Sequence, residues 1–287
     1  MEITASLVKE LREKTGAGML DAKKALVEND GNLEKAAEFL RQKGIASADK
    51  KMDRIAAEGV VDTYIEGNTG AIVEVNCETD FVAKNAEFQE LVTAIAKTVV
   101  KANPATVEDL MAAQCACGCG RTIEERVKEK IATIGEKITI RRFLRMEGNV
   151  ATYVHNKKIA VLLNTDKADE TLEKDICLHI ASSAPEFVSR NEIPASVIEE
   201  EKRIEMGKED LAKKPEEIRA KIVEGRVNKL MAQRCLLEQP FVKDANQTVE
   251  QYVQGKITIN GFDRWTLGEG LEKRQDNFAE EVMSQMK

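Results

Sequence analysis

The sequence predicts an α+β protein in which a short three-helix module precedes a duplicated α+β core with small antiparallel sheets. Three observations lead to this fold class. Apolar residues recur at helical spacing through residues 1–45. The segment 58–65 is repeated as 147–154. A charged stretch with helical periodicity, 193–235, interrupts the second repeat, which predicts an inserted helical hairpin, and an amphipathic helix follows the core.

These elements suggest a division of the 287 residues into compact parts. A chain of this length buries enough surface for about two to four such units. The division places the three-helix module and its linker at 1–55, the first core repeat at 56–147, the second core repeat at 148–192 and 236–269, the helical hairpin at 193–235, and a C-terminal helical module at 270–287.

The N-terminal module is predicted from residues that begin and end helices. Thr4 is placed to cap a first helix, and the run Thr15-Gly16-Ala17-Gly18 breaks it. A second helix presents Leu20 among its apolar residues, and Gly44 is a C-terminal stop for a third. Residues 46–57 are polar and rich in Ala and Lys, so we expect a linker. A unit this small has little core, which favours a docking role over catalysis.

The core is predicted from an internal repeat. After the first repeated segment, each copy continues with a second apolar strand, which ends at Asn76 in one copy and at Asn164 in the other. Each copy then enters an amphipathic helix. A third piece also recurs, since segment 137–140 resembles segment 256–259. The unit is therefore strand, strand, helical segment, strand, and it is used twice.

The same repeat decides how residues 256–267 are interpreted. Asn260-Gly261 between apolar runs is, by itself, a strong signal for a two-residue hairpin. Its counterpart in the first copy is Arg141-Arg142, which is not a turn sequence. We therefore predict one strand over 256–267, bulged at the glycine.

The insertion predicts an antiparallel pair of helices wound as a coiled coil. Val197, Ile204 and Leu211 are seven residues apart in the first arm, and Pro215 ends that arm because proline cannot continue a helix interior. The arms are short for an independent core, so a solvated spacer is the alternative. The helix predicted at 270–287 packs on the core or reaches for a partner.

The central stretch of the chain is 77–85, between a predicted strand and a predicted helix. Residues 71–76 read as the strand, and the helix carries apolar residues at helical spacing. Asp80 and Phe81 are therefore expected on the connecting turn. An aromatic residue on a surface turn is a candidate anchor for a partner. The alternative is that Phe81 packs beneath its own turn.

Several motifs, in the expected order, resemble the elongation factor Ts family, whose members exchange nucleotide on elongation factor Tu. The matching stretches are 7–12, 15–19, 21–26, 74–83, 225–226, 239–242 and 268–270. Together they extend the resemblance over nearly the whole chain. Leu20, Ala22 and Lys243 depart from the family's most frequent residues, which are Met, Cys and an apolar residue.

The resemblance implies a function and a partner. The chain is expected to bind elongation factor Tu in its GDP-bound and nucleotide-free forms and to promote release of GDP by disturbing the magnesium and phosphate site. The resemblance also implies a ubiquitin-associated type of fold for the N-terminal module. In some members of the family the helical hairpin serves self-association, so a homodimer through 193–235 is a further expectation.

The resemblance also implies partner-binding residues. The stretch that contains Asp80 and Phe81 is expected to approach the partner's nucleotide domain, with the aromatic ring between helices. The full set of expected contacts is Thr79, Asp80, Phe81, Val82, Met19, Lys23, Ile134, Gly135, His155 and Val242. Met19 and Lys23 would touch the nucleotide domain, and His155 would face the partner's third domain. Alternatively, Met19 and Val242 belong to the core, and Lys23 is a solvated charge.

Composition argues against several other function classes. The net charge is −7, and no domain is strongly basic, so direct binding to nucleic acid is not expected. No apolar run approaches the ~20 residues that span a bilayer, and neither a signal peptide nor a transit peptide is recognisable. Six cysteines without framework spacing indicate reduced thiols. For a member of an elongation-factor family, these features predict a bacterial cytoplasmic protein.

The sequence gives little support for an enzyme, and we predict no catalytic residue, no cofactor and no metal. It lacks a P-loop, HExxH, GxSxG and a Rossmann fingerprint. His179, among apolar residues of a helix, is expected to be structural, and His155 to be exposed in a loop. Cys115, Cys117 and Cys119 lack the fourth ligand and the Cys-x-x-Cys spacing of common zinc sites, so an incidental, oxidation-prone loop is favoured.

Two functions from other classes remain as alternatives. One is a scaffold or chaperone-like module without exchange activity, which would be indifferent to the nucleotide state of a GTPase. The other is a thiol or metal enzyme centred on the three clustered cysteines, which predicts stoichiometric metal or a thiol of low pKa.

Overall fold

The N-terminal module consists of α1 (Ala5–Thr15), α2 (Met19–Glu28) and α3 (Leu33–Asp49) in the computed structural model, which describes residues 3–49, 51, 53–211 and 214–271. The hydroxyl of Thr4 caps α1 by accepting a hydrogen bond from the Leu7 amide at 3.3 Å, as predicted. Of the apolar residues named for the second helix, Leu20 is 74% exposed and does not belong to the core of the module. The core of the module uses Val8, Leu11, Ala22, Ala25, Leu26 and Ala36.

Helix α3 continues through Gly44, so the predicted stop at this glycine is wrong, as is the beginning of the predicted linker at residue 46. The reason is packing against a core helix, α7 (Ile123–Ile134). A Cβ atom at Gly44 would lie 2.8 Å from the Cβ atom of Ala132 in that helix. The glycine therefore permits a close approach of two helices. Through this contact the module rests directly on the core.

The first half of the core is a three-stranded antiparallel sheet with its helices inserted before the last strand. The elements are β1 (Glu58–Glu66), β2 (Thr69–Cys77), α4 (Asp80–Ala83), α5 (Ala86–Ala102), α6 (Val107–Ala112), α7 (Ile123–Ile134) and β3 (Ile138–Glu147). Every residue of the central strand β2 is buried. Apolar residues of α5, including Phe88, Leu91 and Ile95, pack in one core with residues of β2. This packing agrees with the helical periodicity of the sequence.

The second half contains another three-stranded antiparallel sheet. Its elements and insertions are β4 (Asn149–His155), β5 (Ile159–Thr165), α8 (Glu170–Ser183), α9 (Ala195–Met206), α10 (Glu216–Arg234), β6 (Pro240–Phe241), β7 (Asp244–Thr248), α11 (Val249–Val253) and β8 (Ile259–Thr266). The small β6–β7 pair and α11 were not predicted. The C-terminal helix predicted at 270–287 lies outside the described residues apart from its first two positions.

Strand β8 confirms that Asn260-Gly261 is not a hairpin turn. The strand passes through both residues, and its register against β5 shifts between Asn164 and Thr165, which is the expected irregularity. The two sheets have equivalent orders, β1-β2-β3 and β4-β5-β8. The order agrees with the repeat read from the sequence, while a common origin of the two halves stays a prediction.

The two sheets pack against each other through a second apolar layer. Gly70 of β2 allows the close approach, because a Cβ atom there would lie 2.6 Å from the Val150 side chain. The Val61 amide also donates a hydrogen bond to the Lys157 carbonyl at 2.9 Å, which joins the halves through their backbones. The buried residues between the sheets are Val61, Ile72, Ala160, Leu162 and Trp265.

The inserted hairpin has a small core of its own, so the expectation that its arms are too short for one is wrong. The buried residues are Ile193, Leu211, Val223, Val227, Met231 and Cys235. Ile204 is 48% exposed rather than part of a heptad seam. Leu211 is buried in a 3₁₀ turn, Glu209–Leu211, that folds back after α9 ends at Met206. A coiled coil in the strict sense therefore stays a prediction.

His179 has the structural role that the sequence predicts, since it is fully buried. Its Nδ1 atom accepts a hydrogen bond from the Val242 amide at 3.2 Å, and Nε2 lies 2.8 Å from Oε1 of Gln239. Both contacts fit one neutral tautomer. Burial lowers the pKa of His179 below its usual value, although the hydrogen bond to Gln239 opposes the change.

We expect the free energy of unfolding to decrease as the pH falls below 6.5, the usual pKa of histidine, because the unfolded chain takes up a proton that folded His179 resists. Above that pH the contribution of the neutral side chain is fully present. Denaturant titrations across this range would measure it. The fall should disappear in His179→Gln and persist in His155→Gln, because His155 is exposed. An unchanged fall in His179→Gln would contradict the assignment.

Candidate partner-binding site

A one-turn helix, α4, presents the central motif where β2 leaves the core. Thr79 caps it, since its hydroxyl accepts a hydrogen bond from the Val82 amide at 3.3 Å. The Cys77 thiol donates to the Thr79 carbonyl at 3.1 Å. The turn predicted for Asp80 and Phe81 is therefore a capped helical turn, and its backbone is fixed on both sides of the cap.

Phe81 is 81% exposed, the largest exposed fraction among the large apolar side chains of the described residues. The alternative that its ring packs beneath its own turn is wrong. Val82, which follows it, is 9% exposed and belongs to the core of the first half. The turn thus places one apolar side chain outward and the next inward. Val82 supports the turn from below. Its side chain therefore has little exposed surface for the direct partner contact that was expected of it.

Glu136 holds the backbone of this turn. Its Oε2 atom accepts hydrogen bonds from the amides of Glu78 at 3.1 Å and Thr79 at 3.0 Å, and its Oε1 atom accepts one from the Thr79 hydroxyl at 2.7 Å. Glu78 reciprocates, since its carboxylate accepts a hydrogen bond from the Lys137 amide at 2.7 Å. Sequence reasoning did not identify Glu136. Its signal was its position directly after the expected contact pair 134–135.

These hydrogen bonds bring two of the predicted contact segments together. Ile134 ends α7 and is half-buried against the core, and Gly135 caps the helix in the left-handed conformation with φ of 90°. Glu136 follows at once and reaches the Phe81 turn. The exposed Gly135 therefore lies beside the turn, while the expected contact of 134–135 with a partner stays a prediction.

The charges around the turn also come from more than one element. Asp80 pairs with Lys84 at 2.7 Å, and this hydrogen bond is the main cause that lowers the pKa of Asp80, with a smaller contribution from Lys158. Lys158 lies in the β4–β5 turn and pairs with Glu58 at 2.6 Å. The second half of the core thus approaches the Asp80 turn.

The remaining predicted contacts lie on separate exposed surfaces. Met19 is 59% exposed and Lys23 is exposed, both on α2, so the alternative that Met19 is a core residue is wrong. Val242 is 45% exposed on the β6–β7 turn, which His179 holds from inside. His155 is exposed at the end of β4, next to Tyr153 Oη at 3.1 Å from its Nδ1 atom. None of these residues is buried, so each can reach a partner.

We expect Glu136→Ala to weaken binding of a partner at the Phe81 turn by about 10-fold while the chain stays folded, because the variant frees two amides and a hydroxyl that fix the turn. The binding surface would remain but would be less ordered before binding. The measurement is the dissociation constant for the partner, beside a circular dichroism spectrum. Glu129→Ala, in α7 but paired with Arg121, is the control and should keep the wild-type affinity.

The three clustered cysteines lie at the other end of α7, in the loop that leads into it. A helix of 12 residues is about 18 Å long, so the thiols are remote from the Phe81 turn. Cys115 is buried, whereas Cys117 and Cys119 are exposed. The thiols are therefore not part of the Phe81 turn.

A comparison with protein families gives a match to the model described as elongation factor TS. The match covers residues 78–269, about two thirds of the chain, and includes the Asp80–Phe81 turn, Gly135, Glu136 and Val242. The described residues contain no helix with the length and apolar character needed to cross a membrane.

Proposed function

This chain belongs to the elongation factor Ts family, whose members are nucleotide-exchange factors for elongation factor Tu in translation elongation, and we propose that it performs that exchange through the Phe81 turn. The single observation that carries the proposal is a large aromatic side chain that is 81% exposed on a turn fixed by Glu136. Exposing such a side chain to water is unfavourable, and rigid exposed aromatics are typical of partner-binding anchors.

The proposed mechanism needs no covalent chemistry. Phe81 enters the partner's nucleotide domain, and Asp80 accompanies it as a negative charge. A magnesium ion bridges the nucleotide phosphates to side chains of a GTPase. Displacing the elements that hold this ion weakens the binding of GDP to the GTPase. The fixed backbone of the turn supports this mechanism. Phe81 can displace elements of the partner only if the turn that carries it does not move instead.

Binding and exchange are linked by thermodynamics. If the factor weakens GDP binding to elongation factor Tu, then GDP weakens binding of the factor by the same ratio. We therefore expect this chain to bind nucleotide-free elongation factor Tu at least about 100-fold more tightly than the GDP-bound form, which corresponds to about 3 kcal/mol of coupling. Calorimetric titration of both forms tests this. Equal affinities would overturn the exchange function and favour a scaffold without exchange activity.

We propose three further surfaces for the same partner. Met19 and Lys23 on α2 face the nucleotide domain, and His155 and Val242 contact other parts of elongation factor Tu. Their exposure supports these roles. The net charge of −7 favours contact with a protein over direct contact with nucleic acid. The proposed place of action is the cytoplasm, where translation elongation occurs.

We also propose that the hairpin supports a homodimer. Ile204 and Ile218 are 48% and 50% exposed on its two helices, which are apolar positions that a second copy would cover. Sedimentation equilibrium should show dimers of the wild-type chain and monomers of the Ile204→Glu, Ile218→Glu double variant. A wild type that stays monomeric at high concentration would contradict the proposal.

A further inference from the structure

The loop between α6 and α7 carries three thiols that nucleotide exchange does not use. Cys115, Cys117 and Cys119 alternate with small residues along the chain. An isolated antiparallel bridge between Gln114 and Thr122 closes the loop at its base. The thiols therefore come from one short segment with fixed ends.

The backbone of this loop is shaped so that the thiols converge. Gly118 and Gly120 have φ of 75° and 69°, a left-handed conformation that glycine adopts without strain. The Ala116 amide donates a hydrogen bond to the hydroxyl of Thr98 in α5 at 3.0 Å, which fastens the loop to the core. The Cys117 amide lies 3.5 Å from the Cys115 sulfur, in the position of an N–H···S hydrogen bond.

The three sulfur atoms lie within 4.8 Å of one another. In the part of the chain that the structure describes, no other group of three or more cysteine, histidine or carboxylate ligands is gathered in this way. Sulfur ligands of a tetrahedral zinc ion, with Zn–S near 2.3 Å, are about 3.8 Å apart. The Cys115 and Cys117 sulfurs are 2.9 Å apart, so zinc would require a shift of about 1 Å by exposed Cys117.

Arg126 supplies the charge that such a site needs. Its guanidinium Nη1 is 2.9 Å from the Cys117 sulfur and 3.7 Å from the Cys119 sulfur. Three thiolates around a divalent cation carry a net charge of −1, which one guanidinium balances. Donors that hydrogen-bond to metal-bound sulfur from outside the ligand set commonly raise metal affinity. A monovalent ion would leave a larger uncompensated negative charge.

We propose that Cys115, Cys117 and Cys119 bind one Zn²⁺ ion, with Arg126 as the outer hydrogen-bond donor and solvent as the fourth ligand. Thiolate ligands favour thiophilic cations such as zinc over magnesium or calcium. The ion would fasten the α6–α7 loop by a link independent of the partner-binding surface. Its loss should therefore leave the Phe81 turn intact.

The experiment uses the full chain, reduced and desalted without oxygen, and Zn²⁺ itself as the probe. Zinc is titrated in competition with a chromophoric chelator, and Co²⁺ then reports the ligands by its absorption spectrum. The expected result is one Zn²⁺ per chain with a dissociation constant below about 1 μM, and cobalt bands typical of tetrahedral thiolate coordination. Cys117→Ser and Cys119→Ser should each lower the affinity for zinc at least about 100-fold, and Arg126→Ala should lower it about 10-fold.

Cys177→Ala is the matched control, because Cys177 is a buried thiol in the core of the second half. It should keep the wild-type zinc affinity. The proposal is overturned if the reduced wild type binds zinc no more tightly than Cys117→Ser and Cys119→Ser do, or if the cobalt spectrum is that of an octahedral site without sulfur. A loop that only forms disulfides when air is admitted, and binds no zinc when reduced, overturns it as well.

Discussion

Replacing Phe81 by alanine is expected to lower the second-order rate of GDP release from elongation factor Tu by about 30-fold, which corresponds to about 2 kcal/mol of lost binding. The side chain is 81% exposed, and Val82 rather than Phe81 holds the turn to the core. The folded chain should therefore tolerate the substitution, and its unfolding midpoint should stay within the error of the wild type. Stopped-flow measurements with a fluorescent GDP provide the rate.

Two variants show whether the slower GDP release is caused by loss of the apolar side chain at position 81. Phe81→Leu keeps an apolar side chain and should recover part of the rate. Ile204→Ala removes an exposed apolar side chain from the hairpin, where Ile204 is 48% exposed, and should exchange GDP at the wild-type rate. If Phe81→Ala exchanges GDP as fast as the wild type, the mechanism lies elsewhere on the interface even though the family function stands.

Replacing Glu74 by glutamine is expected to lower the free energy of unfolding by about 3 kcal/mol, since a neutral amide cannot replace the buried carboxylate that accepts charge-assisted hydrogen bonds from two partly buried arginines. Glu74 lies fully buried in β2. Its carboxylate accepts hydrogen bonds from Arg141 at 3.0 Å and Arg142 at 2.7 Å, both in β3. It also accepts a hydrogen bond from the amide of Gly268, in the segment after β8, at 2.8 Å. One side chain thus joins the two halves of the core.

The same carboxylate predicts a pH dependence. Burial opposes ionisation of Glu74, but hydrogen bonds from the Gly268 amide and the two arginines outweigh it, so its pKa lies below the usual 4.5. The stabilisation is present above pH 4.5 and is lost as the pH falls from there through the lowered pKa. Glu74→Gln should show a smaller acid-induced loss of stability than the wild type.

Urea denaturation monitored by circular dichroism measures both effects. Glu66→Gln is the matched control, because Glu66 pairs with Lys101 at 3.5 Å on the surface with about half of its side chain exposed. Surface pairs contribute about 0–1 kcal/mol, so this variant should be close to the wild type. A Glu74→Gln chain as stable as Glu66→Gln would show that the buried carboxylate is not what joins the halves.

Patterns in the sequence were sufficient for elements that local physics determines. The helix cap at Thr4, the single strand through Asn260-Gly261 and the buried role of His179 are confirmed, because each depends on nearby residues or on the repeat. Gly44 was wrongly predicted to end a helix. A glycine is needed there because Ala132, a residue of a different helix, packs closely against it. Local sequence does not show which neighbour a glycine admits.

The site was predicted in part for the same reason. The place of Phe81 on a turn between a strand and a helix was predicted, but sequence spacing left open whether its ring is exposed or packs beneath the turn, and the structure shows that it is exposed. The support from Glu136 could not be predicted, because it joins positions 57 and 58 residues apart in sequence. The inward direction of Val82 depends on the helical turn that Thr79 caps, and a one-turn helix has no periodicity to read.

Release of GDP from elongation factor Tu is the reaction that the proposed exchange function requires this protein to accelerate. Fluorescent GDP bound to purified elongation factor Tu is chased with excess unlabelled GDP, with and without a catalytic amount of this protein. The wild-type chain should accelerate release by orders of magnitude and turn over many partner molecules. A folded wild-type chain that leaves the release rate unchanged would contradict the proposed exchange function.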